Sequence, residues 1–140
     1  MTIRQAVFVG ALAWSMTAPA QGGFVNWESP PVHPVDMTPD GSKLLVVNTP
    51  DDRLEVFTLG GVLPVHSGTI PVGLDPVSVR ARTNTEVWVV NRVSDTVSVV
   101  NLTTGNVTAT LAVGDEPADV LFAGAPQRAF VSVSQQNQVN

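Results

Sequence analysis

The sequence has no cysteine and few cations, and each shortage excludes a class of protein. Without cysteine, the 140-residue chain cannot be held by disulfides, attach a c-type haem through C-x-x-C-H or carry a lipid on cysteine. It has 7 Lys or Arg against 12 Asp or Glu, which gives a net charge of −5. Because nucleic acid needs a clustered basic patch and these cations are scattered, we expect no nucleic-acid partner.

Catalytic motifs are missing as well. The chain has no G-x-S-x-G nucleophile turn, no Gly-rich phosphate loop and no paired Glu residues placed for glycoside chemistry. The sequence therefore predicts no catalytic residue and no cofactor, which favours a protein that is not itself an enzyme.

Metal-binding patterns are equally scarce. His33 and His66 stand in no H-x-x-x-H spacing and occupy non-equivalent places, so we expect them on the surface or in packing contacts. The acidic clusters Asp51-Asp52 and Asp115-Glu116, with Asp119 nearby, lack the D-x-D-x-D-G spacing of a calcium loop. We interpret them as solvated turns and predict no metal site.

What the chain does contain points to β-structure. Val and Thr are abundant and suit a pleated surface, while 11 Gly and 11 Pro punctuate short elements. A sustained 3.6-residue apolar period does not occur after the first two dozen residues. An all-β fold follows.

The amino terminus has the pattern of a secretory signal peptide. Arg4 precedes an apolar run at 6–16, and Ala18-Pro19-Ala20 matches the small-residue cleavage pattern. The run is shorter than the roughly 20 residues of a membrane span, so we expect no span. A buried strand or helix is the alternative. Cleavage after Ala20 predicts a periplasmic or extracellular protein.

An internal repeat organises the rest of the chain. Pro34, Pro76 and Pro117 each begin a similar stretch, so the repeats are 34–75, 76–116 and 117–140, the third one incomplete. Further matches recur at offsets of 41 to 43 residues, among them Asn48 with Asn91 and Asp52 with Asp95. The segment 23–33 precedes the first repeat and is predicted to be a closing strand, in the outer position of a preceding blade.

Each repeat divides into four short strands, expected in the second repeat at about 77–82, 86–91, 96–102 and 107–113. A period of about 40–45 residues with four strands is typical of a β-propeller. The two middle strands are nearly continuous apolar runs, as expected for sheets covered on both faces. A β-sandwich of immunoglobulin type is the rival, but it gives no reason for a fixed repeat of Pro, Val-Val-Asn and Asp.

The repeat resembles a known family. Trp88-Val89-Val90-Asn91, followed by Ser94-Asp95-Thr96-Val97 and by Thr103-Thr104-Gly105, is similar to the YVTN-type β-propeller repeat of surface-layer-like exported proteins. Leu44-Leu45-Val46-Val47-Asn48 is a looser match. A closed propeller usually has about four to eight blades, and we expect a ring of about seven, of which this chain supplies about three. The third repeat has Val133 in the place of Asn91, so we expect its hairpin to be built differently.

Three aligned polar residues are the candidate ligand site. Asp36, Ser78 and Asp119 each lie two residues after the repeat proline, near the start of the innermost strand, which in a propeller lines the central channel. They are predicted to ring that channel. The alternative is that they bond the backbone of the turn, as Asp and Ser commonly do. Trp88 is expected to face the next blade. For Trp27, an exposed aromatic residue that recognises a ligand is one interpretation.

These observations predict an exported propeller that acts as a binding or structural scaffold. Its expected partners are a protein or small-molecule ligand at the propeller face and the remaining blades of a longer parent protein. The alternative is the propeller portion of a larger periplasmic enzyme: a haem-dependent oxidoreductase, a metal-dependent hydrolase or a lactonase-like protein. The catalytic residues would then lie outside this chain.

Overall fold

Ten β-strands form the regular structure of the computed structural model, which describes residues 29–134. One turn of 3-10 helix, Thr49–Asp51, is the other regular element of this range. The predicted all-β fold is confirmed. The strands are β1 Val35–Met37, β2 Lys43–Asn48, β3 Arg53–Thr58, β4 Val65–Pro71, β5 Pro76–Ala81, β6 Glu86–Asn91, β7 Thr96–Asn101, β8 Asn106–Ala112, β9 Pro117–Ala123 and β10 Arg128–Val133.

The strands build three antiparallel sheets in chain order. The first sheet has the order β1-β2-β3-β4, the second β5-β6-β7-β8, and the third pairs β9 with β10. Within each sheet, successive strands pair through a turn, and in the first two sheets this gives the four-stranded meander that the repeat predicts. The strands of the second sheet lie within one residue of their predicted bounds.

Valine side chains from the middle sheet fill the cores on both of its faces. Val87 and Val89 pack against the first sheet, beside Leu45 and Leu54, and are fully buried. Val90 faces the other way, in a second core. Because the side chains of a strand alternate between faces, a run such as Val-Trp-Val-Val is needed to supply two cores at once. Each buried valine contributes about 1.5–3 kcal/mol.

An aspartate at the same repeat position accepts a backbone hydrogen bond at both junctions between sheets. Asp52 and Asp95 each follow a middle strand and have positive φ, 54° and 53°. The Oδ1 atom of Asp52 accepts the N–H of Asp75 at 2.8 Å, and Oδ1 of Asp95 accepts the N–H of Glu116 at 3.0 Å. Asp75 and Glu116 directly precede the repeat prolines. The interpretation of the acidic clusters as solvated turns is therefore wrong for Asp52.

The outer strand of each complete sheet contains a β-bulge, which the sequence did not reveal. Register shifts occur at Val56/Phe57 and at Val99/Val100. The hydroxyl of Ser67 donates to the carbonyl of Val56 at 3.1 Å, and that of Thr108 donates to the carbonyl of Val99 at 3.2 Å. Bulges twist an edge strand and so hinder edge-to-edge aggregation.

The segment before β1 lies along the inner strand of the second sheet. The N–H of Val32 donates to the carbonyl of Val77 at 2.8 Å, and the N–H of Val79 donates to the carbonyl of His33 at 2.9 Å. His33 thereby forms a parallel bridge with Ser78. Residues 23–28 of the predicted closing strand lie outside the described residues.

The third repeat keeps the register of the second where its first two strands pair, and the hairpin after Val133, which we expect to be built differently, lies outside the described residues. Pro117 pairs with Val133 as Pro76 pairs with Asn91, and a register shift follows in both pairs. The two repeats differ in how much space surrounds the glycine that lies beside this position. A Cβ on Gly73 would meet the Nδ2 of Asn91 at 2.6 Å, whereas one on Gly114 would meet Cγ1 of Val133 at 3.1 Å.

We therefore expect Gly73→Ala to lower the free energy of unfolding by about 1–3 kcal/mol, because it displaces a buried amide from its hydrogen bonds. The matched Gly114→Ala, which meets a methyl group, should cost less than about 1 kcal/mol. Urea unfolding of the full chain measures both changes. Equal losses in the two variants would contradict this account.

Candidate functional site

The three predicted rim residues all lie on innermost strands, at β1, β5 and β9. Asp36 bridges two sheets: its Oδ2 accepts the N–H of Ala81 in the second sheet at 2.8 Å. Its Oδ1 accepts the N–H of Met37 at 2.8 Å. The carboxylate thus continues the backbone pairing that His33 begins along the open edge of β5.

Ser78 and Asp119 meet directly at the next junction. The buried hydroxyl of Ser78 donates to Oδ1 of Asp119 at 2.5 Å. Arg80 donates from Nε to Oδ1 at 3.1 Å and from Nη2 to Oδ2 at 2.5 Å, and this pair of bonds is the two-pronged geometry of a strong arginine–carboxylate contact. The structure therefore brings Ser78 and Asp119 together and leaves Asp36 at the preceding junction.

The charge of Asp119 is held in its ionised form. Burial acts to raise the pKa of its carboxyl, but hydrogen bonds from Arg80, Ser78 and the N–H of Val120 outweigh burial and leave the pKa below its ordinary value. The same contact raises the pKa of Arg80. Both oxygens of Asp119 accept hydrogen bonds from side chains of the second sheet, so this carboxylate of the third sheet links two neighbouring sheets.

Arg80 was missed by the sequence reasoning. Its signal was present, because it is a charged residue in the otherwise uncharged inner strand Pro76–Ala81, one residue beyond a fully buried valine. The binding role of Asp36, Ser78 and Asp119 remains a prediction. Asp36 and Asp119 also accept the N–H of the residue that follows each of them in its strand, and their bonds across sheets belong to neither interpretation.

The two histidines lie far apart in the fold. The ring of His66 is about half exposed, and its Nε2 lies 2.8 Å from Oε2 of Glu55, which also accepts the hydroxyl of Thr69 at 2.6 Å. His33 has a buried Nε2 for which residues 29–134 supply no hydrogen-bond partner. Within that range, no group of three or more His, Cys, Asp or Glu side chains is arranged to hold a metal ion.

Trp88 faces the next sheet, as predicted from its position. Its ring meets that of Phe122 edge to face, with centroids 5.2 Å apart, and its Nε1–H donates to Glu86 at 2.8 Å. Trp27 lies outside the described residues. The described range includes no helix with the length and apolar character that a membrane crossing needs.

A groove runs along the face of the first sheet that points away from the second. It has a volume of about 640 Å³. Val46 and Phe57 form its apolar wall, Pro30 and Pro31 lie along its rim, and Glu55 supplies a carboxylate. This groove is part of a wider open sheet face.

Solved structures resemble this fold, although no protein-family model and no curated protein sequence matches the chain. A chain of hydrazine synthase from Kuenenia stuttgartiensis superposes with a TM-score of 0.67 at 26% identity, over 81% of this chain and 32% of that chain. A luciferin-regenerating enzyme gives a TM-score of 0.49 at 13% identity, over 67% of this chain and 34% of that chain, which is too weak to argue from.

This chain therefore spans about a third of the hydrazine synthase chain that it resembles. The sheet order, the packing of successive four-stranded sheets and this likeness agree. Residues 29–134 form successive blades of a β-propeller.

The Arg80–Asp119 contact gives stability a defined pH dependence. Because the pKa of Asp119 is lower in the folded chain than its value of about 3.9 in the unfolded one, its contribution is present above about pH 4 and is lost as the pH falls through the folded value. Asp119→Asn should therefore flatten part of the loss of stability between about pH 5 and 3, measured by urea unfolding.

Arg80→Gln should flatten the same part of the profile, and the double variant should add little, because both residues act through one contact. A profile for Asp119→Asn as steep as that of the wild type would show that the contact does not stabilise the fold.

Proposed function

We propose that this chain is the propeller part of an exported periplasmic or cell-surface protein, in which it serves as a binding and structural scaffold. One observation carries the proposal. The two ends of the stack of sheets present open faces whose side chains match, by repeat position, side chains that are packed against a neighbouring sheet in the middle of the stack. The signal-peptide pattern at 1–20 supports export.

The open face of the first sheet carries apolar side chains like those on a sheet face that is covered by a neighbouring sheet. Met37 occupies the repeat position of Val79, and Phe57 that of Val100, both of which are fully buried against the first sheet. Met37 itself is 50% exposed, and the neighbouring Val35 is 45% exposed. Exposed apolar surface of this extent is typical of an interaction site.

The open face of the third sheet is apolar as well. Leu121 is 61% exposed and Phe130 is 56% exposed. Phe130 occupies the repeat position of Trp88, whose ring packs against Phe122 of the following sheet. The aromatic residue of the second sheet, Trp88, therefore has a ring partner in the third sheet. The matching aromatic residue of the third sheet, Phe130, has no such partner within residues 29–134.

Further β-sheets fit these faces best, supplied by other blades of the same protein or by a partner with an exposed sheet. The junctions already described show how such sheets pack. This geometry supports the proposed scaffold role, since polar residues on the inner strands are bonded across sheets and so stiffen the stack.

A second candidate is the propeller portion of a larger enzyme. The likeness to a hydrazine synthase chain, at 26% identity over 81% of this chain, favours it. That protein is an enzyme by name, and its chain is about three times as long as the matched part. A haem-attachment or metal-binding motif in the adjoining reading frame would favour this candidate, and further plain repeats would favour the scaffold.

The open faces give a direct test in solution. We expect the chain purified after cleavage at Ala20 to self-associate, because its apolar faces cover one another, and to give a mass above the monomer by light scattering. Met37→Lys combined with Phe130→Lys should shift the mass toward the monomer. Neither change should unfold the chain, since both side chains are exposed.

Val62→Lys is the matched control. Val62 is fully exposed at the tip of the loop between β3 and β4, away from either sheet face, so its charge should leave the association unchanged. A well-folded, monodisperse monomer of the wild-type chain would contradict the proposal.

A further inference from the structure

A small groove lies between the second and third sheets, at the end where the β5–β6 and β9–β10 turns meet. Its volume is about 210 Å³. The groove is separate from the open sheet faces, so it does not depend on the scaffold proposal. Six residues line it: Arg82, Trp88, Phe122, Gln127, Arg128 and Ala129.

One wall of the groove is aromatic and held in place. Trp88 and Phe122 meet at an interplanar angle of 89°, and the indole N–H is anchored on Glu86. The guanidinium of Arg82 lies 5.8 Å from the centroid of the Phe122 ring, within the range of a cation–π contact. Together these contacts fix an apolar surface with a preformed shape.

The positive charge of the groove is only partly neutralised. Arg82 is bonded to Glu86 at 2.8 Å and to the side-chain oxygen of Gln127 at 3.1 Å. The guanidinium of Arg128 makes no ion pair or hydrogen bond with any residue from 29 to 134. Among residues 29–134, Arg128 is thus a cation without a carboxylate partner beside an aromatic groove, in a chain whose net charge is −5.

The repeat shows that sheet packing alone does not demand this groove. At the junction between the first and second sheets, Leu45 occupies the position of Trp88 and Ala81 the position of Phe122. Leu45 is fully buried there, so an aliphatic residue and a small residue suffice to pack two sheets. The aromatic pair and its arginines are a departure confined to the second junction.

We propose that this groove binds a small aromatic carboxylate. The ring of the ligand lies against Trp88 and Phe122, where aromatic rings prefer edge-to-face or offset contact. Its carboxylate accepts two hydrogen bonds from the planar guanidinium of Arg128, whose donors match the spacing of carboxylate oxygens. A few polar groups on a mostly apolar surface are what a small-molecule site requires.

Benzoate is the probe, and saturation-transfer NMR detects its binding to the full chain whatever the oligomeric state. We expect saturation of the benzoate ring protons, and much weaker saturation of benzamide, which has the same ring without the charge. Inorganic phosphate should not displace benzoate, because it lacks the ring. Equal binding of benzoate and benzamide, or displacement of benzoate by phosphate, would overturn the proposal.

Two variants separate the charge from the ring. Arg128→Gln should weaken benzoate binding about tenfold, as expected for the loss of about 1.4 kcal/mol. Trp88→Leu, which restores the residue found at the first junction, should abolish it. Arg53→Gln is the matched control, since Arg53 is also exposed but lies on β3, remote from the groove. An equal loss in the Arg53 and Arg128 variants would contradict the assignment.

Discussion

A hydrogen bond from the backbone just ahead of Pro76 and of Pro117 to an aspartate side chain decides how one sheet leads into the next. The linker must turn the chain sharply, and it does so with a positive-φ residue, Asp75 or Glu116, whose N–H has no strand to pair with. An unpaired buried N–H costs about 1–3 kcal/mol. Asp52 and Asp95 supply the acceptor from the preceding turn, so each sheet fixes the entry of its successor.

The rest of the architecture follows from that fixed entry. Once β5 and β9 are placed, valines on both faces of the second sheet meet their partners, and the inner strands approach closely enough for Asp36 to bond Ala81 and for Arg80 to bond Asp119. In these contacts the polar residues of the inner strands hold the sheets together. Binding is therefore expected at surfaces that are not packed between sheets, namely the open faces and the aromatic groove.

Much of the fold could be predicted from the sequence because the same pattern of short strands and turns occurs in successive repeats. The strands of the second repeat, the burial on both faces and the orientation of Trp88 all follow from period and alternation. The bulges at Ser67 and Thr108 could not be predicted, since a hydroxyl residue in a strand has no pattern of its own. The cross-sheet contact of Arg80 was also hidden, because sequence spacing does not show which side chains meet across sheets. The predicted difference in the third hairpin falls after Val133, outside the described residues, whereas the register of β9 against β10 depends on backbone pairing, which Val133 supplies as well as Asn91 does.

Amide hydrogen exchange of the linker tests the central claim most directly. If the aspartates hold the junctions, the N–H groups of Asp75 and Glu116 exchange as slowly as those of the buried strands, and Asp95→Ala releases Glu116 while leaving Asp75 protected. Exchange of both groups in the wild-type chain as fast as that of the exposed loop residue Val62 would contradict the account.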